Sequence, residues 1–172
     1  MALVDIYNST FYNNRASTNG SALYTEGSFM GFTSIEYSTF LTTVSTSTTL
    51  YSLLTFESWR GFHISDSILA RTAGGSNCGG TQPSAHQNSL DSGSSCSGMQ
   101  ANVNAKLDPS GLKHNGGSTF TVALMAGSPA IDKGDTTRCN NTNVGHRDQR
   151  YGNRDSLCDM GAFEYGLSLI HI

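Results

Sequence analysis

A six-residue stretch, Ile6-Tyr7-Asn8-Ser9-Thr10-Phe11, returns 29 residues later as Ile35-Glu36-Tyr37-Ser38-Thr39-Phe40. It returns a third time, with weaker similarity, as Ile64-Ser65-Asp66-Ser67-Ile68-Leu69. Each copy keeps the leading isoleucine, the serine at its fourth position and a large apolar residue at its sixth. A fixed period of this length predicts one structural unit that stacks on copies of itself.

Apolar or β-branched residues alternate with polar ones at the start of each copy. The aligned pairs are Val4 and Ile6, Thr33 and Ile35, and Phe62 and Ile64. This alternation predicts a short strand with one face buried. The residues between them are expected to face outward: Asp5, Ser34 and His63.

A corner is expected after each strand, at Asn8, Tyr37 and Asp66. Asn and Asp tolerate the unusual backbone angles of such corners, and Tyr37 departs from this pattern. After the corner the chain turns inward again. The predicted stacked core consists of Ile6, Ile35, Ile64, Phe11, Phe40 and Leu69.

A strand, a corner and a second strand per unit predict an all-β fold, a parallel β-solenoid whose turns we call rungs. Equivalent positions on neighbouring rungs are expected about 4.8 Å apart. We assign residues 1–75 to rungs with a period of about 29 residues, and the loose run Ser45 to Leu54 to a degenerate rung. A β-sandwich is the alternative, although a sequence repeat with a constant spacing of 29 residues is not expected of that fold.

The composition points to a weakly charged protein of the extracellular β type. Charged residues make up 13% of the 172, the net charge is −3, and Ser and Thr supply about a quarter. The sequence has no basic patch that would indicate nucleic-acid binding. It also has no apolar run long enough for a membrane span. The first residues do not match a signal peptide, so we expect the natural N-terminus and its export signal to be missing.

The four cysteines form two close pairs, Cys78 with Cys96 and Cys139 with Cys158. Neither pair has the short spacing of a zinc site. Two local disulfides are the preferred interpretation, each contributing about 3 kcal/mol in the chain-entropy model. Four free thiols are the alternative, and four cysteines allow three connectivities.

From Ser67 onward the chain resembles the C-terminal part of bacterial right-handed parallel β-helix proteins. The blocks that carry the resemblance are Asn115-Gly116-Gly117-Ser118-Thr119-Phe120-Thr121, Gly127-Ser128-Pro129-Ala130-Ile131-Asp132-Lys133-Gly134, Asp148-Gln149-Arg150 and Cys158-Asp159-Met160-Gly161-Ala162-Phe163-Glu164. They are similar to the choice-of-anchor Q domain, and the upstream rungs resemble polymorphic outer membrane protein repeats. The resemblance implies a right-handed β-helix fragment with a last rung and an irregular, disulfide-tied cap over residues 76–165.

The expected roles of the cap motif are structural. Its residues are Asn115, Gly116, Gly117, Asp132, Asp148, Arg150, Arg154, Asp159 and Glu164. Asn115-Gly116-Gly117 supplies a turn with positive φ, and the acidic and basic residues are expected in ion pairs and carboxylate-to-backbone bonds. Ala123-Leu124-Met125 is expected to cover the open end of the stack. Tyr151 stands where the family commonly has Gly, and residues 166–172 match neither the module nor an anchor, which predicts a non-native or read-through tail.

Catalytic and metal-binding chemistry is not predicted for this stretch. Sugar hydrolysis usually uses a positioned pair of carboxylates. Asp5 and Glu36 do not occupy equivalent positions on their rungs, so they are not expected to form such a pair. His63 is isolated, while His86, His114 and His146 lie in loops without a companion at ligand spacing. The turn Asp132-Lys133-Gly134-Asp135 could offer oxygen ligands to Ca²⁺, but a capping or Arg-paired Asp132 is preferred. Sugar stacking and corner packing remain alternatives for Tyr7, Tyr12, Tyr24 and Tyr37.

These features predict a non-enzymatic structural, display or adhesive module of a bacterial secreted or surface protein, without cofactor or metal. The alternative is the non-catalytic C-terminal part of a carbohydrate-active β-helix enzyme. The expected partners are cell-surface carbohydrate or a host surface, and the open N-terminal end of the stack is expected to permit self-association. The expected location is extracellular or on the cell surface, associated with the outer membrane.

Overall fold

The computed structural model describes residues 3–28, 32–44, 47–55, 62–83 and 85–167. In these ranges the chain is nearly all β, with eleven strands and one four-residue helix. The strands are β1 (Leu3–Tyr7), β2 (Thr10–Tyr12), β3 (Asn19–Ser28), β4 (Phe32–Glu36), β5 (Thr39–Thr42), β6 (Thr48–Thr55), β7 (Phe62–Ser65), β8 (Ile68–Arg71), β9 (Cys78–Gly80), β10 (Ala85–Gln87) and β11 (Leu90–Asp91), and the helix is α1 (Thr136–Cys139).

The strands form three parallel sheets, and each sheet takes every third strand of the chain. The sheet orders are β1-β4-β7-β10, β2-β5-β8-β11 and β3-β6-β9. Three consecutive strands and their corners therefore make one turn, and the next three strands pair with them in the same order. The run from Thr48 to Thr55 is the third strand of the second turn, not a degenerate rung of its own.

The register follows the repeat read from the sequence. Ile6 pairs with Ile35, which pairs with Ile64, and Phe11 pairs with Phe40, which pairs with Leu69. The four members of the second and third turns have no exposed surface. They form one cluster with Leu50, Cys78 and Cys96.

The first turn is less buried than the repeat predicts. Ile6 and Phe11 are half-buried, and Val4, expected to face inward, is 37% exposed. The reason is that β1 and β2 are edge strands, so each has a neighbour on one side only. Phe11 nevertheless stacks on Phe40, with ring centroids 4.6 Å apart.

The outward positions also differ from one another. Asp5 is exposed as expected, but Ser34 is only 6% exposed. Ser34 lies on an interior strand between Asp5 and His63 in register, so side chains flank it on both sides. His63 is half-buried, and its ring packs against the Phe32 ring in an edge-to-face arrangement with 4.7 Å between the ring centroids.

The corners repeat with the same backbone conformation in every turn. Asn8, Tyr37, Asp66 and Asn88 have φ values of 46°, 48°, 51° and 47°. We call these four residues the corner column. The last member follows the third after 22 residues rather than 29, as does the strand pairing around it. The sequence repeat therefore missed the fourth turn, which contains β10 and β11.

A serine follows each corner, and from the second turn on it is buried and its hydroxyl accepts a hydrogen bond from the preceding turn. The Oγ of Ser38, Ser67 and Ser89 accepts the backbone N–H of Ser9, Ser38 and Ser67 at 3.3, 3.2 and 3.2 Å. Each of these hydroxyls also donates to the carbonyl two residues before it, at 3.0, 2.8 and 3.1 Å. This serine ladder explains why the fourth position of the repeat is invariant among the three copies.

The chain from Ser92 to Tyr165, which we call the cap, is irregular apart from α1 and a few isolated bridges. A second apolar cluster joins Ile68 and Leu90 of the sheets to five cap residues: Ala105, Leu124, Ala130, Met160 and Phe163. Of the predicted patch, Leu124 is buried, whereas Met125 is 47% exposed. The cap therefore packs on the outer face of the β2-β5-β8-β11 sheet.

Candidate functional site: the corner column and the cap

The cap contacts the corner column on successive turns. Arg154 donates to Oδ1 of Asn8 at 3.1 Å, the Tyr37 hydroxyl donates to the carbonyl of Asp135 at 2.6 Å, and the Asp135 N–H donates to Asp66 at 2.8 Å. The cap was expected to close the end of the stack. These contacts run along its side and fasten one turn to the next, while at the β11 end Gln100 pairs with Leu90 and Met99 joins the interior cluster.

Tyr37 departs from the Asn/Asp pattern because its side chain is part of this interface. It has no exposed surface and packs with Cys139, Val144 and Cys158. The guanidinium of Arg154 lies 4.7 Å from the ring centroid. Burial raises the pKa of the hydroxyl well above its ordinary value, so the tyrosine stays neutral and acts as a hydrogen-bond donor.

Asp66 connects the third corner to α1. Its carboxylate accepts from Arg138 Nε at 2.6 Å, and Arg138 also donates to Gln87 Oε1 at 2.6 Å. Asp135 is the N-cap of α1 and accepts from the backbone N–H groups of Thr137 and Arg138. Burial raises the pKa of Asp66, and its hydrogen bond with Arg138 opposes this.

Arg154 is the most heavily bonded group of the cap. Its side chain has no exposed surface, and it forms an ion pair of 2.9 Å with Glu164. Nε donates to the Arg147 carbonyl, and the two terminal nitrogens donate to the carbonyls of Asp159 and Gly161 at 3.0 and 2.7 Å. With Asn8, these bonds use all five N–H groups of the guanidinium. Such a buried charge requires this full set of partners.

Two buried carboxylates face this guanidinium region. Glu164 accepts from Arg154 and from the backbone N–H of Asp159 and Asp155. Asp159 accepts from the backbone N–H of Asp132 and Tyr165. Burial raises the pKa of Asp159 to about 7, with Glu164 as a further cause, and burial also raises the pKa of Glu164. Both carboxylates therefore connect separate segments of the cap through hydrogen bonds.

A second buried ion pair joins Arg150 to Asp148 at 2.6 Å. The guanidinium lies 3.8 Å from the centroid of Phe163 and donates to the carbonyls of Asn115 and Glu164. Gly117 is required beside it, since a Cβ on this residue would come within 2.7 Å of the Arg150 Cα.

The remaining cap-motif residues shape the backbone. Gly116 and Gly117 have φ values of 91° and 76°, as the turn prediction required, and Asn115 donates to the Thr121 carbonyl at 2.9 Å. Asp132 is exposed with φ of 58°, and it is its backbone N–H that bonds to Asp159. Tyr151, at a position where the resemblance leads one to expect Gly, has φ of 67° and is 69% exposed.

Asp91 is a buried carboxylate with a structural role that was not predicted from the sequence. Its carboxylate has no exposed surface. It accepts from the Asn77 side chain and from three backbone N–H groups, those of Gly93, Ser95 and Cys96. It therefore fixes the loop that leads to the first disulfide. The stretch Asn88-Ser89-Leu90-Asp91 matches Asp66-Ser67-Ile68-Leu69, and this match was the available signal.

The cysteines are bonded as Cys78–Cys96 and Cys139–Cys158, the pairing preferred from the sequence, and no free cysteine occurs in the described chain. His146, which was expected to lack a companion, lies beside the second disulfide. Its Nδ1 is 3.7 Å from the sulfur of Cys139 and 4.0 Å from that of Cys158. The three side chains could form a metal site only if the sulfurs were thiolates, and the disulfide removes that form.

The outward residues of the turns are not assembled into a catalytic pair. The register sets Asp5 opposite Ser34 and Glu36 opposite Tyr7, so the two carboxylates occupy different columns. The cap side chains Asn141 and Asn143 bond to Glu36 and to the Tyr7 hydroxyl. The His86 side chain and residues 168–172 of the expected tail lie outside the described residues.

Comparison with protein-family models, with curated proteins and with solved structures finds no match to this chain. None of the helices in the described ranges has the length and apolar character that crossing a membrane requires.

Proposed function

We propose that this chain is a non-enzymatic structural module, a right-handed parallel β-helix fastened by a disulfide-tied cap, of a bacterial secreted or surface protein. The observation that carries the proposal is the cap running along the corner column. A stack of turns fastened both by its own ladders and by a clamp on its side is suited to hold a rigid extended shape.

The β-helix assignment is supported by the parallel sheets that take every third strand and by the constant corner conformation. The choice-of-anchor Q assignment is supported by the cap motifs. Five of their charged residues are buried and bonded within the chain: Asp148, Arg150, Arg154, Asp159 and Glu164. Sugar hydrolysis instead uses two carboxylates that reach the substrate, so these groups favour a structural role.

An oxidising location is supported by the two disulfides, because such bonds persist mainly outside the cytosol. The proposed location is therefore extracellular or on the outer surface of the cell. Self-association is supported by the edge strand β1, where Leu3 and Val4 are 59% and 37% exposed. Exposed edge strands with apolar residues are templates for pairing with another chain.

The test is to express the full-length natural protein in a bacterial host and to measure surface exposure by protease shaving of intact cells. We expect peptides from the cap to be released without lysis, and non-reducing peptide mapping to recover both disulfides. Retention of the protein in the cytosol with four reduced thiols would contradict the proposal. Incubation with pectin and alginate is the second arm, in which a reproducible cleavage product would favour the carbohydrate-active alternative.

A further inference from the structure

A groove of about 690 Å³ lies between the outer face of the β2-β5-β8 strands and the cap. Its size is typical of sites for small ligands. It is distinct from the interface of the corner column, because its walls are the strand ends on one side and cap residues 102–111 on the other.

The floor of the groove is apolar. Leu41 and Ala70 come from one column of the sheet, in which Tyr12 pairs with Leu41 and Leu41 pairs with Ala70. Ala105 and Leu107 of the cap complete the floor. Leu41 and Ala105 are buried, at 6% and 3% exposure. An apolar surface of this kind can contact the C–H face of a sugar ring.

The rim offers neutral hydrogen-bonding groups that no other described residue engages. Among the described residues, neither the Tyr12 hydroxyl nor the Asn102 side chain forms a hydrogen bond. The Tyr12 ring rests against Gly111, where an added Cβ would lie 2.5 Å from the hydroxyl oxygen. Asn102 is held at φ of 58° while its N–H donates to the Gly93 carbonyl at 2.6 Å. The Tyr12 ring and the Asn102 backbone are therefore held in place, and neither side chain bonds to another described residue.

The two charged residues that line the groove already form hydrogen bonds within the chain. Arg71 donates to the Ser47 carbonyl and the Thr49 hydroxyl at 3.0 and 2.8 Å. Asp108 forms an ion pair with Lys113 at 2.8 Å, and this contact lowers its pKa. A charged ligand would have to compete with these partners, whereas a neutral polyhydroxyl ligand would not.

We propose that this groove binds a neutral saccharide. The pyranose C–H face packs on the Leu41–Ala70 floor, and the ring hydroxyls bond to Tyr12 and Asn102. The inference rests on the proposed function, since it names the ligand class of an adhesive surface module.

The test is a titration of the folded, disulfide-bonded chain with cellobiose, maltotriose and chitotriose, followed by ¹H–¹⁵N NMR. We expect at least one of them to shift amide resonances of residues 102–111 and of β2. Tyr12→Phe and Asn102→Gly should each weaken that binding about fivefold, the effect of one lost neutral hydrogen bond. Glycine retains the positive φ that Asn102 requires.

Asn88→Gly is the matched control, because Asn88 has φ of 47° and is exposed outside the groove. It should bind like the parent. Absence of shifts with all three sugars, or equal affinity in all variants, would overturn the saccharide proposal. Shifts in this groove with a peptide but with no sugar would also overturn it. Surface exposure and disulfide mapping are independent of these readouts, so the structural module can stand if the groove proposal fails.

Discussion

The backbone N–H of Ser38 donates to the Oγ of Ser67 over 3.2 Å, although the two serines are 29 residues apart. Both are fully buried. The corner before each serine has a positive φ, which interrupts the regular strand pairing. The hydroxyl supplies the acceptor that this N–H requires, since a buried and unpaired N–H costs about 1–3 kcal/mol.

Ser67→Ala is therefore expected to lower the free energy of unfolding by about 1–3 kcal/mol. It removes the acceptor of Ser38 and also the donor to the Ser65 carbonyl. Urea denaturation followed by circular dichroism measures the change. Ser118→Ala is the control, because Ser118 is exposed in the cap, and an equal loss in both variants would contradict the serine ladder.

Arg154→Met should destabilise the protein by about 3–5 kcal/mol, because it leaves the Glu164 carboxylate buried without its cation. Adding Glu164→Gln should recover part of the loss. Thermal denaturation of the single and double variants measures the coupling. Arg15→Met at an exposed position should change the stability little. A double variant no more stable than the single one would refute the ion pair as the cause.

The stability should depend on pH through Asp159. Its pKa is raised from 3.8 to about 7 in the folded chain, so the folded state holds this proton more tightly than the unfolded state. The contribution to stability is complete below about pH 4 and is lost as the pH rises through 7. Relative to Asp159→Asn, the parent should lose about 2–4 kcal/mol between pH 4 and pH 8. Parallel pH profiles for the two proteins would contradict this account.

Tyr37→Asn tests whether the cap is fastened at the corner. Asparagine suits the positive φ but lacks the ring and the hydroxyl that reach the cap. We expect faster amide exchange in residues 135–165, while the central strands β4 and β7 remain protected. Tyr37→Phe should cost only about 1 kcal/mol, the value of one hydrogen bond. Uniform loss of protection in Tyr37→Asn would show instead that the corner residue is required by the whole stack.

Ile35→Asp should prevent folding, because it places an unpaired charge at a position without exposed surface, at a cost of several kcal/mol. Ile6→Asp is its matched partner in the same column, on the half-buried edge strand, and should be tolerated better. Expression yield and circular dichroism of the two variants give the comparison. Melting of Ile35→Asp at the parent temperature would place Ile35 outside the core.

Much of the strand and corner pattern could be predicted because it is local and repeated. The column through Ile35 and Ile64 follows from alternation and spacing alone. The 29-residue period did not locate the fourth turn because its return is shorter, although the resemblance implied a last rung within residues 76–165 and Asn88 and Ser89 carry the same corner signature. Tyr37 looked like an exception in the sequence, because the cap residues it contacts lie about a hundred positions away.

The sequence by itself determined the β character, the stacking register and the position of the corners. These depend on side-chain alternation, on residues that tolerate positive φ and on a serine repeated in each copy, all of which act within or between equivalent turns. Only the tertiary structure decided where the cap lies and which charges pair, such as Arg154 with Glu164 and Asp66 with Arg138. The physical reason is that a buried charge pairs with groups on whichever segments fold over it. An irregular segment has no repeat period from which those contacts could be predicted.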